Sequence, residues 1–196
     1  MAHPEPGRGS TLVNTDSLKT LVKKSSMLED VRLLMVGLPG SGKTTLLTRI
    51  SKGDRAVHDL GNQKFKVRSL KMDALDLLVW DVGDKVYVDD YWSDYFSERV
   101  TGIVFVVDST NPASLPEARA ELFKLLVNEK LAGMPLAIWA NKSEAEGALS
   151  VVKVSELLEL HEVKRREFKA FRVSAVTDEG IQAGLEWMLS QKWSRT

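Results

Sequence analysis

The sequence contains no cysteine among its 196 residues. It therefore has no disulfide, no catalytic thiol, no cysteine-bound zinc and no site for a prenyl or palmitoyl group. Charge of one sign is not in excess either, since 27 Lys and Arg balance 27 Asp and Glu. A neutral chain has no overall field that would draw it to nucleic acid or to anionic lipid. We therefore expect no nucleic-acid partner.

Long apolar runs are also missing, because none approaches the roughly 20 residues that a membrane-spanning helix needs. No apolar core of a signal peptide follows the first charged residues, and Ala2 stands where N-myristoylation requires glycine. These absences predict an intracellular, cytoplasmic protein. Hydrophobic residues nevertheless make up 43% of the chain, which is enough for a full globular core.

The first 28 residues predict an N-terminal extension that is partly disordered. Residues 1–14 are rich in Pro, Gly and polar residues, which is typical of a disordered segment. Leu18, Leu21 and Val22 then share one helical face, which predicts a short amphipathic helix. Such a helix can make weak or conditional contact with a membrane, or it can pack on the domain that follows. That single domain is predicted over residues 29–196.

From Val31 onward, apolar runs alternate with helical patterns, which predicts an α/β domain with a mostly parallel sheet and helices on both faces. Little more than Asp73 separates the second and third strands, which predicts an antiparallel hairpin. The run GIVFVVDS is apolar on both faces, as expected for a central parallel strand. The six predicted strands are residues 31–37, 64–72, 74–80, 102–109, 135–141 and 168–175. The predicted helices cover about residues 42–51, the segment after Pro112, residues 155–161 and residues 178–191.

The segment GLPGSGKT matches the pattern G-x-x-x-x-G-K-[ST] and lies between a predicted strand and a predicted helix. Its glycines allow backbone N–H groups to turn around phosphate oxygens at the positive end of the helix. Lys43 supplies a charge to the outer phosphates, and the Thr44 hydroxyl is placed to ligate Mg²⁺. The predicted phosphate loop consists of Gly37, Leu38, Pro39, Gly40, Ser41, Gly42, Lys43, Thr44 and Thr45. The loop alone would suit a small-molecule kinase equally well.

The motifs GLPGSGKTTLL, WDVG, YWSDYF, GIVFVVDS, NKSE and SAV follow one another in an order and spacing that resembles the Arf and Arf-like family of small GTP-binding proteins. The resemblance covers about residues 29–192. It implies a P-loop NTPase G domain, monomeric and six-stranded, that binds GTP or GDP with Mg²⁺. Phe65, Trp80 and Tyr95 lie 15 residues apart each time and match the aromatic triad of the family's effector surface.

The resemblance also implies roles for single residues. Asp81 would hold Mg²⁺ through water, Asn141 and Lys142 would flank the guanine base, and the main chain of residues 174–175 would contact the base carbonyl group. The hairpin over residues 64–80 would shift register when the γ-phosphate binds and would release the N-terminal helix toward a membrane. Beyond the phosphate loop, the implied nucleotide-binding residues are Asp81, Gly83, Asn141, Lys142, Glu144, Ser174 and Ala175.

The sequence departs from the family pattern in the first switch segment. Asn62 stands where the family has a Thr that closes on Mg²⁺, and Lys64 replaces the usual Gly. The Asn62 side-chain oxygen can ligate weakly, or the residue can be a plain loop asparagine. The candidate metal ligands are therefore Thr44, Asn62 and Asp81.

The second departure concerns hydrolysis, because Lys85 stands where the family has the Gln that orients the attacking water. An ammonium group has no acceptor and cannot take a hydrogen bond from that water. Asp84 adds a negative charge near the expected γ-phosphate. No catalytic residue is assigned, and GTP hydrolysis is predicted to be slow or absent.

The third departure is Glu144 in NKSE, where guanine recognition normally uses Asp. One extra methylene moves the carboxylate by about 1 Å or more, which weakens a bidentate pair with the base. The second switch is also acidic where the family is typically basic, with Asp89, Asp90 and Asp94. Those charges form either a solvated face or a surface that a docking partner must complement.

Three functional hypotheses remain open. The first is an Arf-like switch that binds effectors, exchange factors and activating proteins in membrane traffic or organelle targeting, in the cytoplasm or peripherally on an organelle membrane. The second is a pseudo-GTPase docking module with weak or no nucleotide binding. The third, a P-loop kinase for a small substrate, would need an arginine-rich lid, whereas the arginines here are scattered.

Overall fold

A computed structural model describes residues 31–51, 57–59, 66–72, 75–81 and 100–191. Seven strands form one sheet in the order β2-β3-β4-β1-β5-β6-β7. The strands are β1 Val31–Val36, β2 Val57–Asp59, β3 Lys66–Met72, β4 Leu75–Asp81, β5 Gly102–Asp108, β6 Leu136–Asn141 and β7 Phe168–Arg172. The helices are α1 Lys43–Ser51, α2 Leu115–Leu126, α3 Val151–Leu157 and α4 Ile181–Ser190.

The predicted α/β class, with a mostly parallel sheet, is confirmed. Strand β1 pairs in parallel with β4 and β5, and β6 pairs in parallel with β5 and β7. Strands β3 and β4 form the predicted antiparallel hairpin. The seventh strand is β2, which pairs antiparallel with β3 at one edge of the sheet. The predicted count of six omitted it because three residues are too few to show a period of two.

Helices cover both faces of the sheet, as predicted. Along β1, Val31, Leu33 and Met35 point into one core, together with side chains of α1 and α4. Leu34 and Val36 point into a second core, beneath α2 and α3. This alternation places hydrophobic residues on both faces, which is why the central strands read as continuous apolar runs.

The helical periodicities are confirmed where they are strong. Four residues of α4 that share one predicted face are all buried, namely Ile181, Leu185, Met188 and Leu189. The predicted helix start at Asn111-Pro112 opens a 3₁₀ turn, Pro112–Ser114, and α2 itself begins at Leu115.

Several element boundaries differ from the prediction, most clearly those of α3 and β7. Helix α3 begins before residue 155, at Val151, because the Ser150 side chain caps it by accepting a hydrogen bond from the Lys153 N–H. Strand β7 ends at Arg172, and not at residue 175. None of the helices in the described part of the chain is both long and apolar enough to cross a membrane.

Candidate functional site

Those predicted site residues that the structure describes lie at one edge of the sheet, where the parallel strands have their carboxyl ends. The phosphate loop follows β1, and β4 ends at Asp81 beside it. Strand β6 delivers Asn141, and the segment after β7 carries Ser174 and Ala175. In open parallel sheets this edge is where ligands bind. The fold therefore brings together motifs that lie more than 100 residues apart in the sequence.

The phosphate loop is wound tightly enough to require two of its glycines. Gly37 has φ +146, and a Cβ there would lie 2.1 Å from the carbonyl oxygen of Val106. Gly42 has φ +95, and a Cβ there would lie 2.2 Å from Nδ2 of Asn141. Any side chain at either position would collide with the neighbouring strand or with the asparagine.

Lys43 begins α1 and is almost fully buried. Its Nζ donates hydrogen bonds to the carbonyl oxygens of Gly37 and Leu38, each at 2.9 Å. The ammonium group is thus held against the inner side of the loop that precedes its own helix. A fixed cation beside the positive end of a helix gives an electrostatic site suited to phosphate.

Asn141 connects three segments, two through its buried side chain and one through its main-chain carbonyl group. Its Nδ2 donates to the Ser41 carbonyl oxygen at 2.8 Å, and its Oδ1 accepts from the Ala175 N–H at 3.1 Å. Its own carbonyl oxygen accepts from the N–H and the hydroxyl of Ser109, at 3.0 and 2.7 Å. The phosphate loop and the segment after β7 are therefore fixed relative to each other by this amide.

Lys142 adopts the left-handed conformation, with φ 63, and its Nζ forms an ion pair with Asp108 at 2.5 Å. Burial alone would raise the pKa of Asp108, but hydrogen bonds from Lys142 and Thr110 outweigh it and hold that pKa below its ordinary value of 3.8. Asp108 is thus a carboxylate that orients the lysine. The sequence interpretation missed this role, although Asp108 ends a buried parallel strand at the same edge as Asn141 does.

The segment after β7, residues 174–180, is called the base loop below after its predicted role, and it folds around Ser174. The Ser174 hydroxyl oxygen accepts from the N–H groups of Val176 and Thr177, at 3.2 and 2.9 Å. Arg172 joins this segment to NKSE, because it pairs with Glu179 and donates to the Ser143 carbonyl oxygen, each at 2.7 Å. Glu144 is exposed, so its carboxylate is accessible to a ligand.

A pocket of about 180 Å³ opens beside the phosphate loop, between it and the first turn of α2. Its polar lining includes the Asp108–Lys142 pair. The lining residues are Leu38, Pro39, Gly40, Ser41, Val106, Val107, Asp108, Asn111, Ser114, Ala118 and Lys142. The pocket thus extends the edge on which the predicted site lies.

Several predicted positions stay predictions. Asn62, Phe65, Gly83, Lys85 and Tyr95 lie outside the described residues, as do residues 1–28. Trp80 and Asp81 are placed through their backbone at the end of β4, where Lys66 pairs with Asp81. Of the candidate metal ligands, Thr44 in the first turn of α1 is half-buried. Within the described ranges, no group of three His, Asp or Glu side chains is assembled for a metal.

Comparison with known proteins gives a consistent result. The profile of the ADP-ribosylation factor family matches residues 17–192. ADP-ribosylation factor-like protein 2 of Arabidopsis thaliana is 37% identical over 182 residues, which cover 91% of this chain and 96% of that protein. ADP-ribosylation factor-like protein 3 of Chlamydomonas reinhardtii is 34% identical over 162 residues, which cover 83% of this chain and 90% of that protein. The chain therefore belongs to the ADP-ribosylation factor (Arf) family of small GTPases, whose members are GTP-binding switches.

Proposed function

We propose that this chain is an Arf-like switch that binds GTP and GDP through the site described above and hydrolyses GTP slowly or not at all. The observation that carries the proposal is the Asn141 side chain, which bonds to Ser41 at 2.8 Å and to Ala175 at 3.1 Å. It joins the phosphate loop and the base loop in one arrangement. Loops that are fixed relative to each other lose less conformational freedom when a ligand binds across them.

The residues fit a guanine nucleotide with Mg²⁺. Backbone N–H groups of the phosphate loop and the Lys43 ammonium would hold the diphosphate. The Thr44 hydroxyl and Asp81, with Asn62 as a third candidate, would supply the oxygen ligands that Mg²⁺ prefers. When bound, Mg²⁺ neutralises charge on the outer phosphates. Asn141 and Lys142 would flank the base.

Slow hydrolysis follows from Lys85, since this side chain has no acceptor for the attacking water. Phosphoryl transfer depends mainly on positioning and charge neutralisation, so losing the orienting Gln removes much of the catalysis. Lys85 would keep its positive charge near the γ-phosphate without placing the nucleophile. The switch would then remain loaded with GTP until a partner supplies the missing group.

Single-turnover hydrolysis of bound GTP tests this proposal. The natural protein should release phosphate scarcely faster than GTP in protein-free buffer, whereas Lys85→Gln should raise the rate about tenfold or more. Lys164→Gln, an identical change at an exposed residue in the loop between α3 and β7, is the control and should leave the rate unchanged. Brisk hydrolysis by the natural protein would refute the slow-turnover proposal.

The other two hypotheses are outcomes of binding measurements. If neither GTP nor GDP binds, the chain is a docking module built on the same fold. Transfer of phosphate to a small acceptor would support the kinase alternative.

Partners are proposed on the family pattern. Effectors and regulators would dock on the β3–β4 hairpin and on the triad of Phe65, Trp80 and Tyr95. Acidic Asp89, Asp90 and Asp94 would favour basic partners. We propose a cytoplasmic monomer that contacts an organelle membrane weakly through residues 15–28, which liposome flotation with and without a GTP analogue would test.

A further inference from the structure

A second contact, between the buried carboxylate of Asp178 and the partly exposed guanidinium group of Arg49, holds the base loop against α1. Arg49 and Asp178 form a two-pronged pair, with Nε to Oδ1 at 2.7 Å and Nη2 to Oδ2 at 2.7 Å. Nη2 of Arg49 also donates to the Val176 carbonyl oxygen at 3.2 Å. The Asp178 side chain is only 3% exposed. Parallel N–H···O bonds between a guanidinium group and a carboxylate fix both orientation and distance.

The backbone conformation and the burial of Asp178 indicate that its pairing with Arg49 is part of the folded structure. Asp178 has φ 67, the left-handed conformation that glycine adopts most easily. Here a carboxylate occupies the position and is buried, which is unfavourable unless the charge is paired. The Arg49 fork supplies that pairing and the geometric constraint together.

The contact connects the base loop to the helix that starts at the phosphate loop. Arg49 lies in the last turn of α1, six residues after Lys43. Six residues of α-helix rise about 9 Å. Helix α1 thus acts as a rigid spacer with Lys43 at its first residue and the Arg49–Asp178 pair near its other end. The spacer complements the Asn141 amide, which joins the same two loops at the sheet edge.

We propose that Arg49 and Asp178 are positioning residues for the guanine base. They hold the base loop at the separation from the phosphate loop that a nucleoside diphosphate spans, without touching the nucleotide themselves. This inference rests on the proposed nucleotide binding. Its distinguishing consequence is that breaking the pair weakens a ligand that has a base and spares a ligand that has only phosphates.

Titration calorimetry on the nucleotide-free full chain, with Mg²⁺ and either GDP or inorganic diphosphate, tests the inference. Asp178→Asn removes the charge, Asp178→Gly suits the left-handed backbone and provides a second folded variant, and Arg49→Lys keeps the charge without the fork. For each variant we expect GDP to bind about tenfold more weakly. Diphosphate should bind within about twofold of the natural protein.

A matched control is present elsewhere in the chain. Glu159 also has a positive φ, of 51, and pairs with Arg119, but it lies between α3 and β7 outside the site. Glu159→Gln should change neither ligand's affinity.

Unchanged GDP affinity in the Asp178 and Arg49 variants would overturn the inference. Equal weakening of GDP and diphosphate binding would overturn it too, because that result would indicate a general role in folding. If the natural protein binds diphosphate but not GDP, or neither, the proposed function itself fails and the inference fails with it.

Discussion

The Nδ2 atom of Asn141 donates a hydrogen bond to the carbonyl oxygen of Ser41 at 2.8 Å, across 100 positions of sequence. The same side chain accepts from the Ala175 N–H at 3.1 Å. A residue for which the family resemblance implies base recognition therefore also supports the phosphate loop. The phosphates and the base of one nucleotide can both contribute to its binding free energy only when the loops that bind them keep a fixed separation.

Replacing Asn141 by Ala should destabilise the nucleotide-free chain. We expect the free energy of unfolding to fall by about 2 kcal/mol, because the Ser41 carbonyl oxygen and the Ala175 N–H are left buried without this partner. Urea unfolding followed by circular dichroism measures the change. Asn128→Ala is the control, since its side chain accepts one hydrogen bond near the surface, from Lys130. Equal losses in the two variants would contradict the structural role of Asn141.

Trp139 and Gly184 fit each other closely between β6 and α4. A Cβ built on Gly184 would meet the indole atoms of Trp139 at 2.7–2.9 Å. Gly184→Ala should therefore destabilise the fold by about 1–3 kcal/mol through overpacking. A destabilising effect is informative here, because helix propensity alone favours alanine over glycine by about 1 kcal/mol. Urea unfolding of Gly184→Ala measures the overpacking, and Ala183→Gly, at an exposed position of the same helix, measures the propensity alone.

The smaller ring of Trp139→Phe should restore most of the stability lost in Gly184→Ala. The Nε1 atom of Trp139 is buried and has no hydrogen-bond partner among the described residues. The Trp139→Phe substitution therefore removes no hydrogen bond to the described residues. A double-mutant cycle by equilibrium unfolding measures the coupling. Additive effects would show that the two residues do not interact as the packing indicates.

The Asp108–Lys142 pair should make stability depend on pH. Because the pKa of Asp108 is lower in the folded state, its stabilisation is present above the ordinary value of 3.8 and is lost as pH falls through the folded pKa. Asp108→Asn should therefore be less stable than the natural protein near neutral pH, and the difference should shrink in acid below pH 3.8. Urea unfolding at a series of pH values measures this. Glu146→Gln, at an exposed residue, is the control. A stability difference between the natural protein and Asp108→Asn that grows in acid would contradict the stabilising role of ionised Asp108.

Shortening Glu144 should improve base recognition. Glu144→Asp returns the carboxylate to the length that guanine pairing normally uses, and we expect GDP to bind about tenfold more tightly. Calorimetry with GDP and inorganic diphosphate should show a change for GDP alone. Glu146→Asp makes the same change two residues away and should have no effect. Unchanged GDP affinity in Glu144→Asp would mean that this side chain does not contact the base.

The sequence predicted those parts of the fold that local patterns encode. The buried face of α4 followed from helical spacing, and the central strands followed from continuous apolar runs. Strand β2 was not predicted because three residues, Val57–Asp59, carry no period and pair only at an edge. Its existence depends on the partner strand β3 and not on its own sequence.

The sequence predicts those site residues that belong to a short motif, and it does not reveal contacts between distant residues. The phosphate loop is read from residue type and spacing, and NKSE from the family resemblance. The structure places the Asn141 side chain within hydrogen-bond distance of the Ser41 carbonyl oxygen. The Arg49–Asp178 pair joins residues 129 positions apart, so no local pattern reveals it. Asp108 follows a buried strand, a signal that could have identified it. The roles of Lys85 and of the aromatic triad stay predictions, because they depend on residues outside the described ranges.

Calorimetric titration of the nucleotide-free chain with GDP in the presence of Mg²⁺ tests the central claim most directly. We predict a dissociation constant in the micromolar range or below, about 8 kcal/mol of binding or more. ADP should bind far more weakly, and Lys43→Ala should bind GDP poorly because the fixed cation is gone. If neither GDP nor GTP binds below about 1 mM, roughly 4 kcal/mol, the chain does not act as a nucleotide switch.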